Sequence, residues 1–137
     1  MPASIVNPPT PEQASTPARL AALGALFGVL GVLLGAFGAH ALRSRISGEM
    51  LEIYRTGVLY QMFHAVALIA VAGICDRLRR PRLVGVLFGG GVIVFSGSLY
   101  ALAITGVRLW GAVTPLGGLA LIAGWTWILF GLVTRRK

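Results

Sequence analysis

From residue 20 onward the chain alternates long apolar runs with short breaks of charged and turn residues. The runs lie at 20–42, 57–75, 83–105 and 115–133. Each is close to the roughly 20 residues that, at about 1.5 Å per residue, carry an α-helix across the hydrocarbon of a bilayer. The pattern predicts an all-α integral membrane protein, a four-helix transmembrane bundle occupying residues 18–137. Ahead of it, residues 1–17 contain five of the seven prolines, mixed with Ser, Thr and Gln. Proline removes a backbone donor and interrupts helices, so a disordered tail is expected there. The tail does not read as the start of a signal peptide. Arg19 is the one basic residue near it, and the apolar run that follows exceeds the 7–15 residues of a typical signal core.

Small and polar residues give the runs their faces. In the first, Gly24, Gly28, Gly31, Gly35 and Gly38 are spaced 4, 3, 4 and 3 apart, a stripe along one helix face. Helices in lipid associate by close packing, and glycine lets two backbones approach, so the stripe predicts a helix-packing seam. Its partner is either another helix of this chain or a second copy. His40 lies about 200° around the helix from Gly38 and does not point straight into the seam. Ser47 is placed to cap a long helix reaching Cys75, with Glu49 in its first turn. On that helix Tyr60, Gln61 and His64 fall on one side, and His64 is expected about 10 Å below the outer surface. Gly85 and Gly89 form a second close-approach pair. Ser96 and Tyr100 share a face at depths of about 13 and 8 Å. Thr114-Pro115 is expected to start the last helix, because proline is tolerated in a first turn.

Composition supports the membrane reading. Hydrophobic residues make up 56% of the chain and charged residues only 12%, half the share of a soluble domain. A net charge of +8 would suggest nucleic acid in a soluble protein, but here its distribution points to topology. With four spans, Arg19, Arg77, Arg79, Arg80, Arg82, Arg135, Arg136 and Lys137 share one side, and Arg43, Arg45, Arg55 and Arg108 the other. The positive-inside rule then places both termini in the cytoplasm, with the lipid bilayer and no nucleic acid as the partner of these charges. The arginines of "RLRRPR" would also attract anionic lipids. Cys75 is alone, which leaves no internal disulfide.

His40, Tyr60, Gln61, His64, Ser96, Ser98, Tyr100, Thr105 and Thr114 all fall in what this topology makes the outer halves of the spans. Polar groups in lipid need partners, so His40, Tyr60, Gln61, His64, Ser96, Tyr100 and Thr114 form a candidate polar pocket. It can be read as an interhelical hydrogen-bond network, or as a site for a small ligand, ion or proton centred on His64. All four acids, Glu12, Glu49, Glu52 and Asp76, lie outside the expected bilayer core, so His64 has no embedded carboxylate to work with. No G-x-S-x-G, Walker loop or H-E-x-x-H is present, and two separated histidines do not make a metal site. The residues therefore indicate no catalytic group, no metal and no cofactor. The leading function is a structural or accessory membrane component assembling through glycine-rich helix packing, with itself or with a membrane complex. The alternative is a small transporter or channel with an outward-facing pocket around His64.

The segments "GAFGAHAL" (35–42), "TGVLYQMFHAVAL" (56–68), "FSGSLYAL" (95–102) and "TPLGGLALIAGW" (114–125) resemble, in this order, the membrane-protein family called domain of unknown function 423, which includes YgdD- and YwdK-like proteins. The likeness covers about residues 18–133 and implies a multi-pass protein of the bacterial cytoplasmic membrane with no assigned activity. It matches at Gly38, His40, Tyr60, Gln61, His64, Ser96, Gly97, Tyr100, Thr114, Pro115 and Gly117. Because Ala39-His40-Ala41 lies inside one of these motifs, its likeness to a cleavage site is read as incidental.

Overall fold

The computed structural model describes residues 11–134, with side chains from Ser15 onward. Four helices long and apolar enough to cross a membrane account for nearly all of them. They are α1 (Pro11–Phe37), α2 (Gly48–Gly73), α3 (Pro81–Thr105) and α4 (Leu109–Val133). A wider π turn, Gly38–Leu42, extends α1, and a 3-10 turn, Cys75–Arg77, follows α2.

The ends of α2 and α3 follow local chemistry. Ser47 caps α2, its hydroxyl accepting the Met50 N–H at 3.2 Å, and Glu49 sits in the first turn where the helix dipole favours negative charge. Pro81 opens α3, and Gly106 closes it in a left-handed conformation (φ 69°), its N–H donating to the Leu102 carbonyl. Cys75 falls in the 3-10 turn, just past the end of α2. There burial, and then the Asp76 carboxylate, push its thiol above the ordinary range.

Two expected boundaries are corrected. The stretch up to residue 17 was expected to lack a helix, yet α1 begins at Pro11 and carries Pro17 inside it. Pro11 stands where no helical N–H partner is needed, and Pro17 forfeits a single bond. The early turns are held from outside: Thr16 is buried, and its hydroxyl accepts from Arg82 Nε on α3 at 3.0 Å. Residues 1–10 lie outside the described residues. At the other end, α4 starts at Leu109, so Pro115 is internal and Thr114 is not a cap. The Thr114 hydroxyl instead bonds back to the Trp110 carbonyl at 3.2 Å, and Pro115 forfeits one bond, to the Gly111 carbonyl, a loss that transmembrane helices tolerate.

The chain packs as two hairpins, α1 with α2 and α3 with α4, joined through a smaller α2–α3 interface and a slight α1–α3 contact. Leu20, Phe27, Leu68, Val84, Phe88 and Leu121 lie in the main core, and Leu42, Leu51, Tyr54 and Ala103 form a second cluster towards the end without the termini. Outward faces are apolar: Val29, Leu59, Val86 and Leu129 are each about 60% exposed or more. In water these faces would be a liability; in lipid they are the solvated surface.

Glycine sets the closest approaches. On α1, an added Cβ at Gly24 would lie 2.6 Å from the Ala65 carbonyl oxygen, one at Gly38 would lie 2.6 Å from the Tyr54 ring, and one at Gly31 would collide with the Met62 thioether. Those three glycines therefore face α2 of the same chain, while Gly35 leaves ordinary room beside Val58 and Gly28 faces nothing within 4 Å. A second seam joins α3 and α4, where Gly117 meets the Phe95 backbone and Gly124 the Phe88 ring.

Candidate functional site

The expected pocket separates into a ladder, an aromatic pair, a clasp and an outlier. The ladder ties α2 to α1. Tyr54, fully buried, donates its hydroxyl to the Leu34 carbonyl at 2.9 Å, and Gln61 Nε2 donates to the Phe27 carbonyl at 2.9 Å. Both acceptors lie inside a helix, where the carbonyl of residue i already receives the N–H of residue i+4. Residue i+4 is glycine in both cases, Gly38 and Gly31. Helical side chains lean toward the N-terminus and cover the turn before their own Cα, so a glycine leaves the second lone pair of that carbonyl open. The seven-residue spacing of the two acceptors matches that of the two donors. Tyr100 on α3 completes the ladder, donating to Gln61 Oε1 at 2.9 Å and packing on the Tyr54 ring at 4.9 Å between centroids. Gln61 thus joins three helices.

The aromatic pair links α2 and α4. Trp125 Nε1 donates to His64 Nε2 at 3.1 Å, and His64 Nδ1 lies 2.8 Å from the Tyr60 carbonyl. An indole N–H can only donate, so Nε2 is the acceptor and Nδ1 carries the proton to Tyr60. The ring is satisfied as a neutral tautomer with neither nitrogen free. Phe88 and Phe63 meet it edge-on at 5.0 and 5.5 Å. Beside it a cleft of about 530 Å³ runs between α2 and α4, lined by Tyr60, His64, Phe95, Gly118, Leu121 and Trp125. Its mouth is framed by Leu59, Phe63 and Ile122, all exposed on the apolar flank, so it opens sideways.

The clasp is Ser98 with Thr114, hydroxyl to hydroxyl at 2.8 Å, between α3 and α4. Ser96 is buried against α2, and its hydroxyl has no partner, alone in this among buried side-chain polar atoms of the described residues. His40 is the outlier, exposed in the π turn and in none of these contacts. The expected depth of His64 also changes. Its partner Trp125 lies roughly 24 Å along α4 from Leu109 and only about 12 Å from Val133. His64 is therefore nearer the end that carries the termini than the end that carries the 106–108 loop, deeper than the expected 10 Å or so. Among the described residues no three of His, Cys, Asp and Glu converge on a point.

The family described as protein of unknown function (DUF423) matches residues 34–118, more than half of the chain. The UPF0382 membrane protein YwdK of Bacillus subtilis is 45% identical over 114 residues, covering 81% of this chain and 93% of that protein. The chain belongs to the DUF423 family. The UPF0382 membrane protein SSP2132 of Staphylococcus saprophyticus is 41% identical over 110 residues, covering 80% of this chain and 92% of its own. The UPF0382 inner membrane protein YgdD of Escherichia coli is 37% identical over 115 residues, covering 82% of this chain and 88% of its own. No solved structure matches the chain significantly. This DUF423 member is thus an integral, multi-pass protein of the bacterial inner membrane.

The family match includes Leu34, Tyr54, Gln61, His64, Tyr100 and Thr114, and stops before Trp125. Three residues of the site were not in the expected pocket. Tyr54 begins a run (54, 57, 61, 64, 68, 71) at alternating three- and four-residue steps, which is the buried face of α2. Ser98 was grouped with the polar residues of its span without a partner. Trp125 carries no local signal that pairs it with a histidine 61 residues away.

Proposed function

We propose that the protein is a structural or accessory component of the inner membrane, neither an enzyme nor a transporter, that acts by associating with itself or with a neighbouring membrane complex. The observation that carries this reading is the use of the inward polar side chains. Tyr54, Gln61, Tyr100, His64, Trp125, Ser98 and Thr114 are engaged with one another or with backbone carbonyls, and Ser96, whose hydroxyl has no partner, is fully buried. A translocation path or a catalytic centre needs polar groups left available to a substrate. Here they fix helix register, each bond contributing on the order of 1 kcal/mol.

Of the first-span glycines, Gly24, Gly31 and Gly38 face α2, which leaves Gly28 as the member open to a helix from outside. Association is tested by cross-linking in native-lipid particles. Gly28→Leu is expected to abolish a wild-type oligomer or complex while leaving the monomer folded. A wild-type protein that is monomeric and partner-free, or a Gly28→Leu variant that associates like wild type, sinks the reading.

The α2–α4 cleft favours one competing reading, a small transporter or channel around His64. It requires the ring to release Trp125 or Tyr60 during each cycle. A pH-dependent flux in liposomes that His64→Ala abolishes would replace the accessory reading with this one.

A further inference from the structure

Between α1 and α3, whose contact is slight, lies a second cleft of about 460 Å³ that shares no lining residue with the one beside His64. Arg19 and Arg82 stand at its mouth, at the end that carries the termini, and Leu23, Val86, Gly90 and Ile93 lie along its length. From Arg82 to Ile93 the α3 wall runs roughly 16 Å, about half the hydrocarbon thickness of a bilayer. The cleft is therefore basic at one end and apolar for the depth of one leaflet.

Arg82 Nε donates to Thr16 on α1, which holds its guanidinium at the mouth, and Arg77, Arg79 and Arg80 precede it in the adjoining turn. Gly90 adds an independent observation. Glycine is unfavourable in a helix interior, yet a Cβ at Gly90 would meet no atom of the chain within 4 Å. The packing of this protein does not call for a glycine at that position, and a smooth wall there suits an occupant from outside.

We propose that the α1–α3 cleft holds one anionic phospholipid, its phosphate at Arg19 and Arg82 and one acyl chain along the wall past Gly90. The occupant has to match both ends of the cleft. A free phosphate leaves the apolar wall uncovered. A second copy of this chain, with net charge +8, brings further arginines to an already basic mouth. A lipid with a single anionic headgroup satisfies both ends, as basic pockets between spans do for such headgroups elsewhere. This site is separate from Gly28 and from the His64 cleft, so it stands whether or not the accessory reading does.

The test is native mass spectrometry of the full chain in mild detergent, offered phosphatidylglycerol and phosphatidylcholine in equal amounts. One phosphatidylglycerol per chain is expected to be retained in preference. Arg19→Gln should lower that retention about fivefold. Gly90→Leu, whose Cβ would meet no atom of the chain within 4 Å, should lower it by about tenfold or more with an unchanged thermal melt. Gly97→Leu, equally uncrowded on α3 but outside the cleft, should leave it as in wild type. The proposal is overturned by equal retention of the two lipids, by wild-type retention in Gly90→Leu, by an equal loss in Gly97→Leu, or by full displacement with millimolar inorganic phosphate.

Discussion

At the scale of single residues, the carbonyls of Phe27 and Leu34 do the unusual work: each accepts a side chain from α2 because the residue four positions on is glycine. Gln61 binds one of them and is bound in turn by Tyr100. Removing the Tyr100 hydroxyl leaves Gln61 Oε1 buried without a donor, and that kind of orphan costs more than the bond itself contributes. Tyr100→Phe is therefore expected to destabilise the fold by about 1–2 kcal/mol in reversible unfolding from detergent. Adding Gln61→Leu should give a double-mutant loss smaller than the sum of the single ones; strict additivity would show that the two side chains are not coupled. Ser96 offers the opposite case, since its hydroxyl is already buried without a partner. Ser96→Ala should unfold no earlier than wild type, and a clear loss of stability would mean that the hydroxyl is paired. Much of this was legible: Gln61, His64 and Tyr100 are polar groups inside apolar runs and had to find partners. What the chain order could not say is which partners, because the acceptors are backbone carbonyls and the donor to His64 comes from a helix two loops away.

Among elements, the two hairpins rest on seams of the same kind at different tightness. On α1 the glycine stripe was plain in the sequence, and the structure divides it between α2 and open space. On α4 the buried residues are Gly117, Leu121, Gly124, Ile128 and Gly131, again in steps of four and three. That stripe was equally readable, but it alternates glycine with large residues and so lacks the monotony that drew attention to α1. At Gly117 the obstacle is the backbone of Phe95, which cannot swing aside as a side chain can. Gly117→Ala is therefore expected to separate α3 from α4 and destabilise the fold by about 2 kcal/mol or more, in the range of core overpacking. Gly28→Ala, with nothing to meet, should be neutral or slightly stabilising through helix propensity. Similar melts for the two variants would show that the α3–α4 contact is looser than described. The corrected starts of α1 and α4 have a common cause. Proline in an early turn removes one hydrogen bond, and interhelical contacts of the adjoining residue, Thr16 with Arg82 and Thr114 with Ser98, offset that loss.

At the scale of the whole molecule, four spans put the 106–108 loop on one side and both described ends of the chain on the other. Charge asymmetry sets the expected orientation. Eight of the twelve basic residues fall on the side of the termini. Arg77, Arg79, Arg80 and Arg82 lie in a short turn or the first residues of α3, within the range where Lys and Arg bias insertion. Trp127 also donates to the Arg79 carbonyl at 2.7 Å, which ties that turn to α4 and keeps its charges near the membrane surface. The expected orientation therefore has both termini in the cytoplasm. A reporter active only outside the cytoplasm should give signal when inserted in the 106–108 loop and none when fused after Lys137, and a reporter active only inside should give the reverse. Replacing the four arginines of that turn with alanine should weaken the bias and produce signal from both fusions in a mixed population. If the wild-type pattern is reversed, the charge asymmetry does not set the topology; if the alanine variant keeps a single orientation, the bias resides in Arg19 and the C-terminal Arg135, Arg136 and Lys137 instead.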